Sequence, residues 1–153
     1  MPIAFNMIIP IASDHAGFQA KEKVKLILEE NGFMPVDYGT HSTESVDYAD
    51  FAVQVADAVD RGDYQKGILI CGSGQGVCMT ANKFDQIRAA LVWNHDMAEL
   101  TRKHNDANIL CLPGRFLPDD EKLKDIVLTW LNTEFEGGRH ERRIKKIHAL
   151  THH

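Results

Sequence analysis

No run of apolar residues in this 153-residue chain approaches the roughly 18–20 that a membrane span needs. Cysteine is scarce: Cys71, Cys78 and Cys111 form no CxxC pair, and an odd count leaves one unpaired. That excludes a disulfide framework and points to a reducing cytoplasm. Positive charge is not in excess either. A formal net charge of −5 argues against a general nucleic-acid binder, whose footprint would be basic. It leaves room for a small anion held by local Arg and His residues. The apolar start, MPIAFNMIIPIASDHAG, lacks the basic flank of a signal peptide and is cut short by Asp14, so it reads as a buried first strand. Repeats, low-complexity segments and interdomain linkers are absent. What remains is ordinary globular composition, 44% hydrophobic and 25% charged, in a length suited to one domain spanning residues 1–153.

Apolar runs alternate with helical periodicity along the chain. Residues 7–12, 33–38, 67–71 (GILIC), 89–93 and 109–112 read as strands. Between them, Ala20, Val24, Ile27 and Leu28 recur at helical spacing, and Asn31-Gly32 is a helix stop. Tyr48, Phe51, Ala52, Val55, Ala56 and Val59 trace one face of a second helix. Further helices follow the glycine turn to about Lys83, then over residues 96–104 and 119–132. Strands separated by single helices imply an α/β fold: a Rossmann-like three-layer sandwich with a five-stranded parallel sheet and helices on both faces. Glu136-Gly137-Gly138 breaks the pattern, and residues 139–150 form a basic helical tail.

In such a sheet, ligands sit beyond the carboxyl ends of the strands. Asp14-His15, Tyr48, Cys71 with its glycine turn, and Arg115 all fall on that edge. Cys71-Gly72-Ser73-Gly74-Gln75-Gly76 is the most informative segment. Its backbone N–H groups can face an anion, and a cysteine there is expected to have a lowered pKa. A thiolate beside such a loop suits proton abstraction next to a carbonyl; a buried cysteine beside a tight turn explains the spacing equally well. Neither the Walker pattern nor the dinucleotide fingerprint fits, since Val77-Cys78-Met79 follows the loop.

Asp14 can be a helix cap or a site residue. Arg139 and Arg143, four apart, can be a solvated basic face or a phosphate clamp. His104-Asn105 is a misfit, because it follows a helix and precedes the fifth strand, at the opposite edge of the sheet. A catalytic role there is most simply played in a neighbouring subunit. Cys78 and Cys111 are assigned to packing. The eight histidines contain no HExxH, so no metal site is expected, and His152-His153 reads as a disordered end.

These residues resemble the type B ribose-5-phosphate isomerases over nearly the whole chain. The likeness lies in IASDHAGF (11–18), DYGT (37–40), VDYADFA (46–52), GILICGSGQG (67–76), ANKFDQIRAA (81–90), RKHNDANIL (102–110) and EGGRHERR (136–143), in the family's order. The resemblance implies a homodimer or tetramer with shared active sites, free of cofactor and metal, that interconverts ribose 5-phosphate and ribulose 5-phosphate. It implies Cys71 as the base, Ser73 near the hydroxyl that exchanges its proton, and the amides of Gly72, Gly74 and Gly76 around an enediolate, with Asn82 in support. His104 matches a ring-opening residue, with Asp14 also at the site. His15, Arg139 and Arg143 match phosphate contacts, Arg115 is a further candidate, and Tyr48 lines the sugar pocket. His104, Asn105 and the arginines would reach the partner's site. Gln75 stands where some members carry a carboxylate base, which assigns this chain to the cysteine branch. A six-carbon phosphosugar isomerase and a non-catalytic phosphosugar-binding module are the competing readings. No nucleic-acid or membrane partner is expected.

Overall fold

The computed structural model describes residues 7–151; the first six residues and His152-His153 lie outside the described residues. Five strands, β1 (Met7–Ser13), β2 (Phe33–Asp37), β3 (Gly67–Cys71), β4 (Ala89–Leu91) and β5 (Ile109–Pro113), form one sheet in the order β2-β1-β3-β5-β4. All four pairings are parallel. The helices are α1 (Phe18–Glu30), α2 (Tyr48–Asp60), α3 (Gln75–Ala81), α4 (His95–Lys103), α5 (Asp120–Asn132) and α6 (Arg139–Thr151).

The alternation of side chains across the central strands creates the layers. Ile68 and Ile70 of β3 with Leu110 and Leu112 of β5 join a core built from α1, α4 and α5. Leu69 and Cys71 with Ile109 and Cys111 face the other way, against α2 and α3. Both central strands are buried throughout, which is why they read as continuous apolar runs. The expected Rossmann-like three-layer sandwich is therefore what the chain forms.

Helix ends follow local chemistry. Asn94 Oδ1 accepts the Met97 N–H at 2.9 Å, and Asp119 Oδ1 accepts that of Glu121 at 2.9 Å. Asn31 ends α1 before Gly32 at φ 84°. Two elements are shorter than the apolar pattern suggests. β4 stops at Leu91 rather than residue 93, because it is an edge strand with one neighbour and Asn94 is already committed to capping α4. α3 ends at Ala81 and passes into turns at Lys83 and Phe84. The tail helix is docked: Ile144 is buried, and His148 pairs with the Asp85 carbonyl and the Arg88 guanidinium, both at 2.8 Å. Among the described residues, no helix is long and apolar enough to cross a membrane.

Candidate active site

Chain direction reverses between β1 and β3: β1 leads outward to β2, and the chain then returns to β3 on the other side. The crevice above that point is where an open parallel sheet binds ligands. Beyond β1, the buried Asp14 accepts the Gly17 N–H on Oδ1 at 3.0 Å. A Cβ on Gly17 would lie 2.6 Å from the Ile70 carbonyl oxygen, so only glycine lets α1 start this close to β3. His15 accepts the Val46 N–H on Nδ1 at 3.1 Å, which puts its ring proton on Nε2.

Beyond β3, the turn reverses through Gly74 at φ 75°, a left-handed conformation suited to glycine. Tyr48, at the start of α2, lies so close to Gly76 that a Cβ there would meet its ring at 2.5 Å. Arg115, in the 3-10 turn after β5, donates its N–H to the Gly72 carbonyl at 3.1 Å, and its guanidinium covers Gly72. Ser73 Oγ accepts the Gln75 N–H at 3.4 Å. The result is a cleft of about 660 Å³ lined by Asp14, His15, Tyr48, Cys71, Ser73 and Arg115, together with Gly72 and Gly76. Such a volume suits a small-molecule ligand.

The remaining expected residues lie elsewhere. Gly74 shapes the turn without lining the cleft. Asn82 caps α3 and spends its amide on β4: Oδ1 accepts the Ala89 N–H at 2.8 Å, and Nδ2 donates to the Ala89 carbonyl at 3.0 Å. His104 ends α4 at the amino edge of the sheet, with the exposed Asn105 beside it. The His104 ring stacks on His140 at a centroid distance of 4.3 Å, and its Nε2 lies 3.5 Å from Glu136 Oε1. Burial first, then the neighbouring His104 and Arg139, hold the His140 imidazole below the usual histidine range. Arg139 and Arg143 project from α6, exposed and without an acidic partner within 4.0 Å among the described residues.

A match to the family model described as Ribose/Galactose Isomerase covers residues 9–147. The chain belongs to that family. It is 43% identical over 142 residues to the Escherichia coli ribose-5-phosphate isomerase B, covering 93% of this chain and 95% of the relative. The Thermotoga maritima ribose 5-phosphate isomerase superposes with a TM-score of 0.90 at 51% identity, covering 94% of this chain and 99% of that one. The Mycoplasma genitalium ribose-5-phosphate isomerase B, solved with bound ribulose-5-phosphate, gives 0.89 at 45% identity over 95% and 97% of the two chains.

Within this ribose/galactose isomerase fold, several residues escaped sequence reasoning. Ala16 and Phe116 also line the cleft; Phe116 follows Arg115 directly, but nothing in its spacing marks it. Lys21 is fully buried and paired with Asp37, which also binds Lys25 at 2.9 Å and accepts the Gly39 N–H at 2.8 Å. Burial pushes the Asp37 carboxyl up, but the two lysines and that N–H outweigh it and hold the carboxyl below its ordinary value. This ion pair anchors the loop after β2, which carries the strand of backbone leading to Tyr48. The packing role expected of Cys111 fits its complete burial, which drives its thiol well above the usual range.

Proposed function

We propose that this chain is an aldose-ketose isomerase that interconverts ribose 5-phosphate and ribulose 5-phosphate. The observation that carries the reading is the cleft itself: Cys71, Ser73 and the glycine turn stand beside His15 and Arg115. This places a candidate base next to candidate phosphate ligands. The relatives named ribose-5-phosphate isomerase B, one of them solved with ribulose-5-phosphate, support the choice of sugar.

In the proposed mechanism, Arg115 and His15 Nε2–H orient the phosphate, and Tyr48 lines the sugar chain. Cys71 Sγ, as thiolate, removes the proton from C2 of the open-chain aldose. The electron pair moves into a C1–C2 double bond, and O1 takes up a proton. The backbone N–H groups of Gly72–Gly76 stabilise the enediolate. Ser73 Oγ relays the proton leaving O2 to O1, and the Cys71 thiol returns its proton to C1. This frees the thiolate for another turnover.

Ring opening is assigned to His104, and additional phosphate contact to Arg139 and Arg143. These side chains lie at the amino edge, so the proposal needs a homodimer in which each cleft is completed by the other protomer. The exposed Trp93, Met97 and Leu100 on and beside α4 supply an apolar surface for such a contact. A cytoplasmic setting fits the three free thiols.

Mixed dimers test the whole reading. Cys71→Ala and His104→Asn proteins are each expected to be impaired. When the two are unfolded together and refolded, half the dimers carry one intact site, so about a quarter of wild-type turnover returns. Absence of recovery, with both proteins dimeric, refutes shared sites. Ketose formation from ribose 5-phosphate is the assay, and added EDTA is expected to leave it undiminished. A second substrate is favoured by one feature: Met79, flexible and 64% exposed, forms part of the cleft wall. Allose 6-phosphate is therefore expected to turn over with lower kcat/KM.

A further inference from the structure

The amino edge carries a constellation that the sequence analysis did not anticipate. His104, Glu136 and His140 bring one ligand atom each to within 4.8 Å of one another. His104 Nε2 lies 3.5 Å and His140 Nε2 3.8 Å from the same Glu136 oxygen. In a tetrahedral site with bonds of about 2.0–2.1 Å, ligand atoms lie about 3.3–3.4 Å apart. Two edges of the triangle are therefore near that length already. The third edge, between the two imidazoles, is at most 4.8 Å long, and to shorten it the stack of the rings, whose planes differ by 14°, must open.

The backbone holds the three residues in place. Glu136 donates its N–H to the Lys103 carbonyl at 3.1 Å, one residue before His104. Arg102 Nε donates to the Thr133 carbonyl at 3.1 Å, stitching the same loop to the end of α4. His140 sits in the first turn of α6, its side chain only 11% exposed, while His104 and Glu136 are open to solvent. An ion can thus enter from solvent and keep a water in its remaining position. Two imidazoles and a carboxylate suit zinc, cobalt or nickel. Arg139 and Arg143 add positive charge nearby, and with a single carboxylate ligand this disfavours calcium and magnesium, which want several oxygens.

We infer that His104, Glu136 and His140 form an inhibitory binding site for a divalent ion of the zinc class. Binding takes the His104 lone pair, and on the reading of His104 given above it stops ring opening while leaving Cys71 untouched. On this reading the ion restrains turnover rather than supporting it.

Cobalt is the probe for the site, because its visible absorption reports the ligands. Titration of the full-length protein is expected to show saturable binding of one Co²⁺ per chain, displaced by Zn²⁺. Glu136→Gln and His140→Ala should each weaken binding at least about tenfold. Cys71→Ala should leave it unchanged. No saturable binding, or a sulfur-to-cobalt charge-transfer band that vanishes in Cys71→Ala, overturns the site. In the kinetic arm, Zn²⁺ should lower turnover of ribose 5-phosphate in step with occupancy, and His140→Ala should lose that sensitivity. Occupancy without inhibition upholds the ion site, overturns the inhibitory role, and refutes ring opening by His104.

Discussion

The two edges of the sheet carry functional groups in different ways. At the carboxyl edge, side chains and backbone lock one another: Asp14 to Gly17, His15 to Val46, Gly72 to Arg115, with Cys71 only 4% exposed. At the amino edge, His104 is held by stacking and a carboxylate, and Arg139 and Arg143 are exposed with no acidic partner among the described residues. A group that works within its own chain can be preorganised by burial and hydrogen bonds. A group that works in another protomer must stay exposed until that protomer arrives. The contrast between the edges is thus the contrast expected of a site divided between two chains.

The largest effect should come from the carboxyl edge. Cys71→Ala is expected to lower turnover by about 10³–10⁴-fold, the range for losing a general base, with phosphosugar binding retained. Retained turnover would remove Cys71 as the base. His104→Asn should slow turnover of cyclic sugar by about 10²-fold and that of an already open phosphosugar much less. Equal losses on both substrates would break the division of labour between the edges.

The support beneath the carboxyl edge can be tested separately. Lys21→Met leaves Asp37 with Lys25 alone and should cost about 3 kcal/mol in urea unfolding, as expected for breaking a buried ion pair. Because folding lowers the Asp37 pKa, this part of the stability is present above its ordinary value of 3.8 and is lost as pH falls through the lower folded value. At the amino edge, Arg143→Ala should raise KM about tenfold, with kcat little changed, the size of one charged hydrogen bond. An unchanged KM would leave that arginine as a solvated charge.

The smallest effect concerns Lys66, just before β3 at the amino edge. Burial, then repulsion from Arg102, pulls its pKa from 10.5 down to about 8. The unfolded chain therefore holds more protons between those values, and the wild type should gain stability relative to Lys66→Met as pH rises through that window. Thermal unfolding of the two proteins against pH reads the difference, and parallel curves would contradict it.

The edge to which Asp14, His15, Cys71 and Arg115 belong was legible because each ends or follows a buried strand, and chain direction fixes which end of a parallel strand it occupies. Phe116 was not legible, since nothing distinguishes a cleft-lining apolar residue from a core one until the layers are packed. Asn82 illustrates the opposite case. The family resemblance suggested a place at the cleft, but its amide is consumed by the backbone of β4. No short motif marks the His104–Glu136–His140 cluster, because His104 at the end of α4 lies more than thirty residues from Glu136 and His140 at the entry to α6.

By itself, then, the sequence determined the alternation of strands and helices, the parallel sheet and the glycine turn after Cys71, because periodicity and backbone freedom are local properties. The order β2-β1-β3-β5-β4, the covering of Gly72 by Arg115, the burial of Lys21 against Asp37 and the meeting of two histidines with Glu136 were decided only by the tertiary structure. These depend on which distant segments pack together, and packing free energy belongs to the pair of surfaces rather than to either one.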